Sequence, residues 1–343
     1  MKKIIILLFA FCILFSACAP AQPQTLTIMT HDSFSVSEDV VKAFETANNV
    51  KLVFLPSGDA GAMLNKAILI KDAPLADVMF GVDNTFLSRA LEADIFETYE
   101  SPALKEIPAE FQLDRSHRAT PINFGDVCIN YDIKYIADNN LAVPQSLDDL
   151  KKPEYKNLLV MENPATSSTG LAFLLATVAQ YGDGFTEYWK ALKDNGIVIV
   201  DGWETAYYTN FSASSGKGHQ PMVVSYGASP AAEVIYADPP VDTAPTASIV
   251  SAGTCFRQIE FAAILKGTQH QTLAQKFIDF MLNEQFQADM PLQMFVYPVD
   301  PNISLPDAFI KYAQVPTQSV TLDPSLIAAN RDAWIQAWAE VMK

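Results

Sequence analysis

Strand and helix signals alternate along this chain, which makes it an α/β protein of two lobes with a cleft between them. Three observations carry that reading. Short apolar runs alternate with amphipathic stretches from Thr25 onward, the pattern recurs after Asn157, and two segments read as crossings between the halves. Such alternation places helices on both faces of a sheet. Two covered sheets joined by more than one strand leave a groove where they meet.

The chain opens with Lys2 and Lys3, an apolar run from Ile4 to Leu14, and Phe15-Ser16-Ala17 before Cys18. That layout is a secretory signal segment, too short to span a bilayer as a stable helix. Ser-Ala before a cysteine also resembles a bacterial lipobox, with Phe15 where leucine is usual. Cleavage before Cys18 and lipid attachment to its thiol are therefore expected, against an ordinary cleaved signal with an incidental cysteine. Ala19 to Gln24 has nothing to bury and reads as a flexible tether, residues 18–25 in all.

Leu26-Thr27-Ile28-Met29 reads as the first strand. Ser37-Glu38-Asp39 then puts a capping residue and two acids before Val40, Val41 and Phe44, a helix start with its dipole compensated. Lys51 to Leu55 is the next strand, Met63 to Ile70 a helix, and Ala76 to Phe80 a third strand. After Asn157, Leu158 to Met161 leads to a helix from Leu171, with further strands at Ile197–Val200 and Met222–Ser225. Thr120 to Gly125, preceding the strand Asp126–Tyr131, reads as one crossing; Ile249-Val250 with Cys255–Ile259 reads as the return. The tail predicts a helix from Thr272 to about Met290, a Pro-rich connection and a last amphipathic helix, Pro324–Val341. The expected division is lobe 1 over 26–122 and 249–305, lobe 2 over 123–248, and a terminal helical segment, 306–343, on lobe 2.

The formal charge of −16 becomes −18 once Lys2 and Lys3 leave with the leader. An acidic surface excludes nucleic acid, whose phosphates need a basic footprint, and opposes adhesion to anionic lipid. It fits a cationic or mixed-charge small ligand. Beyond the leader only Cys128 and Cys255 remain, in apolar stretches. Export permits a disulfide, and two separately buried thiols fit the sequence equally. The four histidines are scattered without paired spacing, so no metal or zinc site is expected.

Four strand-to-helix loops could carry chemistry. Asn163 to Gly170 gathers hydroxyls, Ser167 and Ser168 among them, at the start of an apolar helix, where unpaired N–H groups favour an anion; simple capping explains the same residues. Pro56-Ser57-Gly58-Asp59-Ala60-Gly61 allows close backbone approach but is neither a Walker loop nor a GxGxxG turn. Gly202-Trp203-Glu204 puts an indole at a strand end, where α/β clefts bind ligands, although packing would place it there too. Gly227-Ala228-Ser229-Pro230-Ala231 nearly imitates the hydrolase elbow, but the final glycine is missing and proline removes the oxyanion N–H. Tyr207-Tyr208 invites comparison with the adjacent tyrosinates of iron-binding proteins, yet helical spacing makes the rings diverge and favours core packing.

Taken together, these motifs resemble the thiamine-binding substrate-binding proteins of bacterial ABC importers over essentially the whole mature chain. The resemblance runs through Thr30-His31-Asp32-Ser33-Phe34, Gly81-Val82-Asp83-Asn84, Thr166 to Gly170, Gly202 to Tyr207, Ser225 to Pro230, and Val296 to Val299. It implies a type II periplasmic-binding-protein fold that closes over thiamine or its mono- or diphosphate without a cofactor. It also implies a monomeric, non-enzymatic, extracytoplasmic protein that delivers ligand to a permease driven by a separate ATPase. Carried over by position, ligand contacts fall on Asp59, Ala60, Ser167, Ser168, Trp203 and Tyr226-Gly227-Ala228-Ser229, with His31, Asp83, Asp126 and Phe295 as further lining. The hydroxyls suit phosphate, the rings suit the thiazolium and pyrimidine, and Asp59 offsets positive charge.

The family often has an aromatic at His31, a tryptophan shortly after Phe34, a glycine at Ala60, a tyrosine at Ala232 and a tryptophan at Phe295. The resemblance therefore implies a reduced aromatic cage, with Asp126 as a charge in place of a stacking ring. Ferric iron, an aminophosphonate or a polyamine are the alternative cargoes on the same fold. An enzyme would need Ser229 as nucleophile, or a cysteine paired with an acid as in pyrimidine-modifying relatives.

Overall fold

The computed structural model describes residues 23–213 and 218–343. The leader, Cys18 and most of the tether lie outside the described residues. The first strand, β1 (Gln24–Thr30), begins inside the expected tether and takes in Gln24 and Thr25. Helix α1 (Glu38–Asn48) follows, with Glu38 and Asp39 in its first turn and Asn49 closing it at φ 48°. Strand β2 (Val50–Pro56) then pairs parallel with β1. Helix α2 (Ala60–Leu69), strand β3 (Val78–Asp83) and short helix α3 (Leu87–Glu92) complete this part of the first lobe.

The crossing expected at Thr120 is one uninterrupted strand, β4 (Thr120–Asp132), shared by both lobes. The second lobe adds α4 (Ile133–Asp138), β5 (Leu159–Glu162), α5 (Ser168–Tyr181), α6 (Phe185–Asp194), β6 (Val198–Val200), β7 (Met222–Tyr226), α7 (Ser229–Ile235) and β8 (Thr246–Ile249). The chain returns on β9 (Phe256–Ile264) and runs through α8 (Gln271–Met281), α9 (Glu284–Gln293), β10 (Tyr297–Pro298), α10 (Asp307–Tyr312) and α11 (Pro324–Met342).

One sheet results, in the order β2-β1-β3-β9-β4-β7-β5-β6, with β8 and β10 also on β4. Residues 120–127 of β4 pair antiparallel with β9, and residues 127–131 pair with β7. The two lobes are therefore the two halves of a sheet bent across β4 and β9. Alternation along each strand divides its side chains between two faces. Leu26, Ile28, Val78 and Phe80 enter a core with Phe44 and Phe277 under α1 and α8. Met29, Met79 and Val82 face the other way, into a core that continues through Val127, Met161 and Leu171 to Trp189. Val160 and Val223 face a third cluster, with Tyr207 and Phe211.

The tail departs from expectation twice. The single helix expected over Thr272–Met290 is two, because Asn283 accepts from Phe286 N at 2.9 Å and starts a new helix at Glu284. The last helix also reaches both lobes. Trp338 meets Trp189 edge-on, at 5.9 Å between centroids, while the Arg331 guanidinium lies over Phe86, 5.9 Å from the ring centroid. Cys128 and Cys255 form a disulfide that joins β4 to the entry of β9. Among the described residues, no helix is long and apolar enough to cross a membrane.

Candidate functional site

A cavity of ≈ 850 Å³ lies between the lobes. It is bounded where strand ends of one lobe face those of the other, the place where open α/β sheets bind ligands. Three contacts bring the lobes together around it. The N–H groups of Gly61 and Ala62 donate to Thr166 O at 3.1 and 3.2 Å. Trp203 N–H donates to Asp59 Oδ2 at 2.9 Å, and Tyr236 Oη to Leu292 O at 2.7 Å.

Asp59 sits at the N-cap of α2, reached through Gly58 at φ +92°, a backbone conformation that suits glycine. Its other oxygen accepts the Ala60 N–H at 2.6 Å, so one carboxylate caps its own helix and holds the opposite lobe. On the same wall, His31 packs against Gly81, where an added Cβ would lie 2.4 Å from the ring. His31 Nε2 meets Glu260 Oε1 at 3.1 Å, and Glu260 Oε2 accepts from Asn123 Nδ2 at 2.8 Å. Burial pushes the His31 pKa down, but the charge and hydrogen bond of Glu260, with Asp59 and Asp32 nearby, leave it above the ordinary value.

The second lobe supplies rings. Trp203 stacks on Tyr207 with centroids 5.0 Å apart and planes at 20°, and Tyr208 meets Trp203 edge-on at 5.4 Å. A π-helical turn over Thr205–Asn210 turns adjacent tyrosines to the same wall. Tyr207 and Tyr208 both reach the cavity; Tyr207 also packs in the third core cluster, the role the spacing favours, whereas Tyr208 is exposed. Tyr207 Oη donates to Glu233 Oε1 at 2.6 Å. The indole Nε1 donates to Ser225 Oγ at 2.9 Å, and Ser225 Oγ lies 3.0 Å from Ser229 Oγ, so the hydroxyl of the false elbow reaches the indole only through Ser225. Burial pushes the phenols of Tyr207 and Tyr208 up, which opposes tyrosinate formation. Among the described residues, no group of three or more His, Cys, Asp or Glu could hold a metal ion.

Of the residues expected to line the site, His31, Asp59, Ser168, Trp203, Tyr226, Ser229 and Phe295 do so. Six do not, for identifiable reasons. Ala60 is buried in the first turn of α2. Ser167 turns its hydroxyl to Thr169 Oγ1, 3.0 Å away, and Thr169 takes its place on the wall. Gly227 is a close-packing residue, since a Cβ there would lie 2.3 Å from Gln314 O. Ala228 packs with Ala231 and Phe309. Asp126 is held by Arg257 Nε and Nη2 at 2.9 and 3.1 Å, so it is not a free charge for a ligand. Asp83 lies one residue behind the wall: Tyr226 Oη donates to Gln258 Oε1 at 2.6 Å, and Gln258 Nε2 donates to Asp83. Burial pushes the Asp83 carboxyl up to about 6, against the hydrogen bonds from Gln258 and Thr85.

Glu260, Glu233 and Tyr236 were missed, and each had a signal. Gln258 and Glu260 are polar residues two apart in β9, so they share a face, while Arg257 between Phe256 and Gln258 points to the other. Glu233 and Tyr236 lie four residues after Ser229 and Ala232, on one side of α7 and its C-cap. Tyr236 meets Phe295 edge-on at 5.3 Å across the cleft, with Phe295 at φ +54°, an outlying conformation for a bulky residue.

Residues 73–317 match the model of the bacterial extracellular solute-binding proteins. The chain belongs to that family. Among curated relatives, this solute-binding protein is 30% identical to the thiamine-binding periplasmic protein of Escherichia coli, over 91% of this chain and 92% of that one. It is 24% identical to a probable ABC transporter periplasmic-binding protein of Sinorhizobium fredii, over 98% of this chain and 92% of the relative. The solved structure of a periplasmic thiamin binding protein superposes with a TM-score of 0.84 at 28% identity, covering 95% and 98% of the two chains. The resemblance read from the loops holds across the chain, and the fold is the type II periplasmic-binding-protein fold. This solute-binding protein is extracytoplasmic, as its family is.

Proposed function

We propose that this solute-binding protein captures thiamine or a thiamine phosphate outside the cytoplasm and passes it to an ABC permease, itself catalysing nothing. The observation that carries this reading is the ring wall, where Trp203 stacks on Tyr207 and meets Tyr208 edge-on, beside Glu204 and Glu233. Stacked rings hold a flat heteroaromatic, and neighbouring carboxylates favour one that bears positive charge. The thiamine-binding relatives support this cargo, and the ABC-transporter relative supports the partner. Ser168 and Thr169 at the α5 N-terminus are the donors available to a phosphate ester. The sequence reading of Cys18 adds a lipid anchor, so Cys18→Ser should accumulate as unprocessed precursor without fatty-acid label.

Calorimetric titration of the mature protein with thiamine, its monophosphate and its diphosphate tests the cargo. Saturable binding of at least one form is expected, with the vitamin recovered intact. No binding of any form would refute the reading. The competing iron reading rests on Tyr207 and Tyr208. It requires a visible tyrosinate-to-iron band on adding ferric iron, lost in Tyr208→Phe.

A further inference from the structure

Cys128 and Cys255 are bonded where β4 changes partners. Along one side of β4 the ladder with β9 ends at the Val127–Phe256 pair, and the ladder with β8 begins at Ile129–Ile249. Neither of these ladders includes Cys128. β8 belongs to the second lobe, whereas β9 runs on to pair with β3 in the first, so this change of partner is the passage between the lobes. The chain between the two strands, residues 250–255, leaves β4 and turns back on itself, with Thr254 Oγ1 lying 3.0 Å from Ile249 O and 2.7 Å from Ser251 O. The antiparallel register that pairs Val127 with Phe256 next brings Cys128 opposite Cys255, so the disulfide takes the place of the following rung.

The bond also adjoins the ligand wall. On its other side Cys128 pairs with Ser225 of β7, whose hydroxyl accepts from Trp203 Nε1 at 2.9 Å. A Cβ at Gly227 would lie 3.4 Å from Cys128 Sγ, so the turn after Tyr226 rests against the bond. Val320 N–H donates to Cys255 O at 2.7 Å, and Arg257 N–H donates to Val320 O at 2.9 Å, which ties the segment before α11 to the same point. Both cysteines are fully buried, which shields the bond from exchange with external thiols and makes it a fixture rather than a switch. A hydrogen-bonded rung can open as a sheet bends, but a covalent one cannot.

We infer that Cys128–Cys255 is a hinge pin, which makes the two crossings of the sheet turn as one body so that the lobes close about residues 127–129 of β4. A bond that acts only through the unfolded chain would raise global stability and leave local opening alone. Native-state hydrogen exchange separates the two without any ligand. In Cys128→Ser/Cys255→Ser, exchange of the Arg257 and Val320 amides beside the bond should speed up at least about tenfold more than that of Asp77, whose N–H donates to Thr27 O at 2.8 Å in the first lobe. Equal acceleration at all three, or none at the first two, would overturn the pin. Cys128→Val/Cys255→Ala keeps the site apolar should the serine pair fail to fold. In the wild type itself the Arg257 and Val320 amides should exchange no faster than Asp77; faster exchange there overturns the inference whatever the variants do. For closure itself the probe is thiamine, and this arm rests on the thiamine reading. Calorimetry at room temperature, where both proteins are folded, should give the variant an affinity about three- to tenfold weaker, because closing a looser hinge orders more chain. Unchanged affinity would overturn the link to closure. Failure of the wild type to bind would refute the cargo reading alone, and the exchange result would still decide the pin.

Discussion

Gly61→Ala tests whether binding depends on the lobes meeting at α2. Gly61 lies in the first turn of that helix, outside the positive-φ glycines, so its backbone accepts alanine. Alanine is the better helix former, by up to about 1 kcal/mol. A Cβ at Gly61 would nevertheless lie 2.9 Å from Thr166 O in the opposite lobe and 2.8 Å from Phe86 Cζ. Phe86 is 1% exposed and packed on all sides, so the easier relief is for the lobes to part. Parting lengthens the bonds from Gly61 and Ala62 to Thr166 O, each worth about 0.5–1.5 kcal/mol. The closed form would lose about 1–3 kcal/mol, which is an affinity loss of about 5- to 150-fold. Calorimetry with thiamine should read that loss while the unliganded melting temperature stays within a few degrees of wild type. Small-angle scattering should show a larger radius of gyration for the liganded variant than for liganded wild type. Wild-type affinity in Gly61→Ala would refute the argument, because binding would then not require the α2–Thr166 contact.

Three other outcomes follow from the same contacts. Replacing Cys128 and Cys255 by serine opens a link across 127 residues and should cost about 2–4 kcal/mol, seen as a melting temperature lowered by about 3–6 °C. Coincident melts of variant and wild type under non-reducing conditions would show that the bond does not stabilise the fold. Trp203→Phe keeps a ring on Tyr207 but loses the bond from Nε1 to Ser225 Oγ at 2.9 Å, so affinity for every thiamine form should fall by up to about tenfold; a loss confined to phosphorylated forms would contradict this. Asp83 is raised to about 6 by burial, so its protonated form contributes stability that is fully present below the ordinary carboxylate value and lost as pH rises toward 6. The stability difference between wild type and Asp83→Asn should therefore shift by about 3 kcal/mol against wild type from pH 3 to pH 7. A pH-independent difference in chemical denaturation would exclude Asp83 as the source.

The sheet and its helices were legible because short apolar runs alternate with amphipathic stretches from Thr25 onward. Glu38 and Asp39 lie in the first turn of α1, as local chemistry predicts, but Ser37 makes no side-chain cap bond, and α2 starts at Ala60 behind Asp59, three residues before the start expected at Met63. What was lost is what depends on which loop meets which. Ser167 and Ser168 look equivalent in sequence, yet one hydroxyl turns inward to Thr169 and the other residue reaches the cavity. Asp126 reads as a free charge until β9 brings Arg257 against it from 131 residues away. Tyr207 and Tyr208 diverge on an ordinary helix, but a π turn, which spacing does not announce, puts both on the cavity wall. The apolar spacing from Thr272 runs on through Asn283 and predicts one helix, whereas the Asn283 side chain caps a second.

The cleft draws rings and charge from both lobes. Ala232 has no ring, but Tyr236, one turn later, reaches across the cleft to Phe295 and Leu292 O. On the first-lobe wall His31 holds Glu260, and that carboxylate also accepts from Asn123 on β4. A carboxylate on the wall recognises differently from a ring. An aromatic face attracts a cation through its quadrupole and tolerates an attached anion, whereas a carboxylate attracts the cation and repels the anion. Glu260 and Asn123 lie on the two strands that both lobes share, so this charge is fixed to the bend of the sheet and stays in place as the lobes move. The rings come from one lobe and most of their nearest acids with them, Glu204 and Glu233 beside Trp203 and Tyr207. A flat cation can therefore bind first to the second lobe and complete its contacts with Glu260 and Asp59 on closure. Only those later contacts differ between open and closed forms, so they alone can drive the lobes together.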